Sequence, residues 1–109
     1  MNAILQKLRG TDRRSIGKSH EVVARVLVQP SLFRSLFSGL VADDAVVRMR
    51  AADAVEKITA RHPEYLRPFK SRLINEVARS DQQEVRWHVA QMFSRLTLTP
   101  KERHAIVGI

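Results

Sequence analysis

The sequence predicts an all-α protein, an α-α superhelix of about two helical hairpins with capping helices at its ends. Three observations carry that expectation. Apolar residues recur three and four apart along most of the chain, while strand-type alternation is rare and β-branched runs are short. Proline and aspartate stand at the points where one periodic stretch gives way to the next. The chain also repeats itself, which is the signature of stacked helical units.

The elements follow in order. Ile4, Leu5 and Leu8 mark a short amphipathic helix closed by Gly10. The polar segment Thr11 to Lys18 has no period and is expected to be a loop. Ser19 is placed to cap a helix carrying Val22, Val23, Val26 and Leu27. Pro30 ends that helix and suits the first turn of the next, which carries Leu32, Phe33, Leu36, Phe37 and Leu40. Gly39 within it marks a close packing contact rather than a phosphate loop. Asp43 or Asp44 then caps a long helix with Val47, Ala51, Val55 and Ile58 on one stripe, broken at His62-Pro63. Leu66, Phe69, Leu73 and Val77 follow, with Pro68 expected to kink their helix. Asp81 and Glu84 have capping-box spacing ahead of a helix holding Val85, Val89, Met92 and Leu96. Pro100 opens a last stub ending in Ile106, Val107 and Ile109, either a cap or an apolar contact for a second copy.

A shift of 38 residues lays Asp43 on Asp81, Val47 on Val85, Arg48 on Arg86, Ala52 on Ala90, Val55 on Phe93 and Ile58 on Leu96. A shift of 33 lays Pro30 to Arg34 on Pro63 to Arg67. The five-residue difference is about one more helical turn in the first half of the second unit. Residues 1–18 read as an N-terminal helix and polar loop, and residues 19–109 as the repeat domain, one globular unit overall.

These residues resemble the HEAT/armadillo type of helical repeat, over roughly Pro30 to Leu98. More narrowly, Gly10 to Gly17, Val46 to Thr59 and Gln82 to Met92 resemble a group of bacterial HEAT-like proteins to which no function attaches. The resemblance implies a superhelix in which small Ala51, Ala52, Ala54 and Ala90 let helices approach. It also implies that Arg48 and Arg86 pair with the aspartate of a neighbouring turn, an architectural role. Some HEAT-like folds act on DNA bases or attach bilins, but no motif here carries either activity.

Composition bounds the function. The 109 residues suit one domain, without cysteine and with no apolar run long enough for a membrane span. The expectation is a cytoplasmic chain that engages no membrane. Net charge is +8, and 14 of the 19 basic residues are arginine, whose planar fork suits carboxylates and phosphates. An acidic protein partner or nucleic acid fits that sign. The histidines at 20, 62, 88 and 104 lack metal-ligand spacing, and nothing groups serine, histidine and aspartate for nucleophilic work. No metal or cofactor is expected, and the chain reads as a non-enzyme.

Two clusters could bind a partner. Arg50, Asp53, Lys57 and Arg61 share a helical stripe; under the 38-residue shift Arg50, Asp53 and Lys57 fall on His88, Gln91 and Arg95, and Met49 falls on Trp87. This would be a basic concave face with one tryptophan anchor, or a solvated face laced by ion pairs such as Asp53 with Arg50 or Lys57. Trp87 could equally pack on the adjoining hairpin. Arg13 and Arg14 could take a phosphate or carboxylate, or simply point into water. The leading expectation is a scaffold or adaptor for a protein partner. Binding to a nucleic-acid backbone comes second, and a DNA-repair-type pocket around Trp87 and Asp53 third.

Overall fold

The computed structural model describes residues 3–9 and 16–107, and every regular element among them is helical. Helix α1 is Ala3–Gln6 and α2 is Ile16–Val28. A 3-10 turn at Pro30–Leu32 leads into α3, Phe33–Phe37, which tightens again to 3-10 over Ser38–Val41. The long helix α4 spans Ala45–Arg61. A 3-10 stretch at Pro63–Phe69, α5 at Lys70–Asn75 and a 3-10 turn at Val77–Arg79 form the next limb. Helix α6 is Gln83–Phe93 and α7 is Pro100–Val107.

Helix α4 is the hub. It packs extensively on both α2 and α6, which share no extensive contact with each other, so the three helices form a layer with α4 in the middle. The limbs holding α3 and α5 make the second layer. Phe37 stacks on Phe69 with ring centroids 4.5 Å apart, and Phe33 lies 5.6 Å from Phe69 and 5.5 Å from Tyr65. Offset and edge-on rings of this kind add to the burial that joins the two limbs. The radius of gyration, 13.3 Å, is about what a single globular domain of this length has.

One core runs through the molecule, from Ile4, Leu5 and Leu8 through Val22 and Val26 to Val85, Val89 and Met92. The expected stripe of α4 (Val47, Ala51, Val55 and Ile58) is wholly buried. Gly39 also behaves as expected: a β-carbon there would sit 2.7 Å from Leu5 Cδ2 and 2.9 Å from Ala51 Cβ. The missing side chain is what lets α1 and α4 close on the α3 limb.

Several expectations need correction. Helix α2 starts at Ile16, so residues 16–18 are helical rather than loop, Ser19 is buried inside the helix rather than capping it, and the boundary drawn at residues 18 and 19 falls within α2. Helix α6 stops at Phe93, short of Leu96. Asp81 caps nothing: the N-cap of α6 is Gln82, without a side-chain cap bond, and Ser80 Oγ accepts from the Gln82 N–H at 3.2 Å. Of the two aspartates offered for α4, Asp44 is the cap, its Oδ1 accepting from Val46 N at 2.8 Å and Val47 N at 3.3 Å. A reciprocal capping box sits instead at α7: Thr99 N–H donates to Glu102 Oε1 at 2.8 Å and Glu102 N–H to Thr99 Oγ1 at 3.1 Å. The kink at Pro68 takes the form of seven 3-10 residues before α5, since proline removes a backbone donor and clashes with the preceding turn.

Candidate functional site

At the α4–α6 seam three of the residues singled out in the sequence, Met49, Trp87 and His88, line one groove. Val85, Val89 and Met92 turn α6 inward. Trp87 is two residues past Val85, about 200° round the helix, and so faces out; it is 62% exposed, the only large aromatic among the described residues so open. His88 lies against it, edge-on, with ring centroids 4.9 Å apart. A shallow groove of about 420 Å³ runs here, lined by Met49 of α4 and by Gln83, Glu84, Trp87 and His88 of α6. The Nδ1 atom of His88 is buried and has no hydrogen-bond partner. A polar nitrogen left so is costly unless something donates to it or accepts from it.

Three basic residues of the stripe, Arg50, Lys57 and Arg95, are engaged within the chain, while Arg61 is exposed. Arg50 donates from a guanidinium nitrogen to the Leu8 carbonyl at 3.0 Å, tying α1 to α4. Lys57 pairs with Asp53 at 2.9 Å, the ion pair expected one helical turn apart. Arg95, in the turn after α6, donates to the Glu56 carbonyl at 2.8 Å and Thr59 Oγ1 at 3.0 Å, with the Glu56 carboxylate 4.0 Å away. Gln91 is half-buried on α6. Arg13 and Arg14 lie outside the described residues. The face is therefore less rich in uncommitted positive charge than the sequence implies, and its most open chemical feature is an indole over a thioether and an imidazole.

Arg48 also departs from expectation. Its Nε donates to Gln82 Oε1 at 3.0 Å, and another guanidinium nitrogen reaches the carbonyls of Ala42 at 2.6 Å and Asp43 at 3.0 Å. Gln82 returns a bond from Nε2 to the Ala45 carbonyl at 2.9 Å. The partner from the neighbouring turn is thus a carboxamide, one residue past Asp81. Arg86 keeps half of the pattern, donating to the Ser80 carbonyl at 3.0 Å, the position equivalent to Ala42.

A second cleft, of about 370 Å³, lies between the proline-led limb and the turn after α6, with Glu64, Arg67, Lys70 and Arg95 on its walls. Its cations are largely committed: Lys70 pairs with Glu102 at 3.1 Å and donates to the Thr97 carbonyl at 3.3 Å. Glu64 is held below the usual carboxylate range, first by a backbone N–H and then by His62, whose Nδ1 is 3.1 Å away. Among the described residues no group of three or more histidines and carboxylates could hold a metal ion, and no helix is long and apolar enough to cross a membrane.

No known protein family, curated protein or solved structure matches the chain.

Proposed function

We propose that the chain is a HEAT-type helical-repeat scaffold of the cytoplasm that binds a protein partner over the α4–α6 surface, with Trp87 as the anchor, and carries out no catalysis. The observation behind this is the exposure of Trp87 beside a groove floored by His88 and Met49. Tryptophan is the side chain most enriched among residues that dominate binding energy, because it covers a large area with few rotamers. The open indole would gain from a partner that offers an apolar side chain to cover it. Exposed Arg61, at the end of the α4 stripe, adds positive charge that suits an acidic partner.

The test is site-specific photo-crosslinking. A benzophenone side chain at exposed position 83, beside Trp87 in the groove, should yield one discrete protein adduct from cell extract, and the same group at exposed position 34 should not. Adding Trp87→Ala to the position-83 variant should abolish capture of that protein without changing the thermal melt. Adducts of equal yield from positions 83 and 34, or capture indifferent to Trp87→Ala, would refute the site. The net charge of +8 makes nucleic acid the competing ligand; tight binding to duplex DNA that falls steeply with salt would replace the protein-partner reading.

A further inference from the structure

The internal repeat shows what the outer face of α6 is shaped to hold. On α4 the face that receives α6 carries Arg48, Ala52, Val55, Glu56 and Thr59. Ala52, Val55 and Thr59 are fully buried, and Arg48 and Glu56 half-buried. The 38-residue equivalents on α6 and the turn after it are Arg86, Ala90, Phe93, Ser94 and Thr97. All are exposed except Phe93, which is half-buried. Each position that is covered on α4 is thus more open on α6, although the residue types at the first two and the last are the same.

The open face has shape and chemistry. A groove of about 220 Å³ runs along it, bounded by Val89, Ala90, Phe93 and Arg86 on α6, by Ala78 on the preceding limb and by Ile106 of α7. Helix α7, anchored to α5 by the Lys70–Glu102 ion pair, brings Ile106 to this groove and leaves Ala90 exposed. Small Ala90 in mid-helix permits close approach of another backbone, as Ala52 does for α6. Arg86 is held in place by the Ser80 carbonyl, as Arg48 is by that of Ala42. What Arg48 has and Arg86 lacks is the cross-seam acceptor, Gln82 Oε1. Among the described residues Arg86 is the groove's one charged residue and no carboxylate lines it, in a chain whose net charge is +8.

We infer that the outer face of α6 is a docking surface for an amphipathic helix of a partner protein, whose first turn presents a carboxylate or carboxamide to Arg86 and whose apolar stripe covers Ala90 and Phe93. The surface lies off the Trp87 groove and stands or falls separately from it. A second copy of this basic chain is the less favoured occupant, because like net charges would have to meet around Arg86.

The helix that already fits such a face is α6 itself, so a synthetic peptide of residues 80–98 is the probe, titrated into the intact protein by fluorescence anisotropy. Saturable binding is expected. Arg86→Ala in the protein, or Gln82→Ala in the peptide, should weaken it about tenfold, the scale of one charge-assisted hydrogen bond. Ala90→Arg, which keeps the positive charge and removes the close approach, should abolish it. Trp87→Ala in the protein should leave it unchanged. Both Arg86 and Ala90 are exposed, so these variants should keep the parent melting temperature. Failure of the peptide to bind at about millimolar concentration, or binding indifferent to Ala90→Arg, overturns the inference. Concentration-dependent dimerisation of the intact protein that Ala90→Arg removes also overturns it, by assigning the face to a second copy.

Discussion

Replacing Arg48 or Arg86 by alanine makes the same chemical change at equivalent points of two repeats, and the structure expects unequal costs. Arg48 loses three acceptors: Gln82 Oε1 at 3.0 Å and the carbonyls of Ala42 and Asp43 at 2.6 Å and 3.0 Å. A charge-assisted bond is worth about 1.5–3 kcal/mol where water is excluded, and less for a half-buried guanidinium. About 0.5–1 kcal/mol for each of the three bonds gives about 1.5–3 kcal/mol for Arg48→Ala. Near this chain length that lowers the melting temperature by about 6–12 °C. Arg86 loses one bond, to Ser80, at an exposed site, and Arg86→Ala should stay within about 0.5 kcal/mol of the parent. Urea unfolding followed by far-UV circular dichroism measures both. A double-mutant cycle with Gln82→Ala isolates the cross-seam bond, with an expected coupling of about 1 kcal/mol for Arg48 and none for Arg86. Arg48→Lys should recover little, since one ammonium cannot span acceptors on both sides of the seam. Equal losses at the two arginines, or no coupling between Arg48 and Gln82, would refute the view that this bond joins the repeats.

Three further expectations follow from other contacts. Gly39→Ala should destabilise by about 1–2 kcal/mol in the same urea assay, because overpacking against the rigidly placed Ala51 Cβ outweighs the helix propensity gained; adding Ala51→Gly should return part of the loss, and a more stable single variant would contradict the contact. Glu102 has its pKa lowered, first by the Thr99 backbone N–H and then by Lys70, so its contribution is present above its ordinary value near 4.5 and fades as pH falls through the lower folded value. Hydrogen-exchange protection factors in α7, measured against the intrinsic rate at each pH, should therefore fall on acidification below that range, and Glu102→Gln should flatten that acid-side change. Trp87→Ala should leave the urea midpoint nearly unchanged, because an indole this exposed adds little to the core; a loss above about 2 kcal/mol would mean that Trp87 is structural.

The legible part of the fold was the part written in periodicity. Val47, Ala51, Val55 and Ile58 recur at helical spacing on a long helix, and all are buried. The 38-residue shift that pairs Arg48 with Arg86 also pairs their carbonyl acceptors, Ala42 with Ser80, a correspondence of backbone atoms that residue types hide. Capping was read less well, because Asp81 and Glu84 have the spacing of a capping box while the helix begins one residue later, at Gln83. The motif that does form, Thr99 to Glu102, has the same spacing in plain view, with proline in the first helical turn as a further sign. Exposure at the end of the stack was not legible at all. Ala52 and Ala90 are the same residue in the same register, and only the presence of α6 beyond one and not the other decides that the first is buried and the second open.

Charge was the least direct signal, and the reason bears on how binding should be tested. Arg48 and Arg95 are anchored chiefly on backbone carbonyls and neutral side chains, with the Glu56 carboxylate 4.0 Å from Arg95, and Arg50 donates to the Leu8 carbonyl. A guanidinium satisfied in this way stays in the net charge of +8 while serving as a tether between helices. Part of the arginine excess therefore reflects the way the helices are tied together rather than a ligand. It follows that charge reversal at Arg50 and Arg95 would break the α1–α4 and α4–α6 tethers together with any ligand contact, and loss of binding in such a variant would be ambiguous. Arg25, Arg34, Arg61, Arg67 and Arg103 are exposed and hold no carbonyl in the described structure. Reversal there leaves the tethers intact, so a change in salt-dependent association among those variants reports on the surface alone.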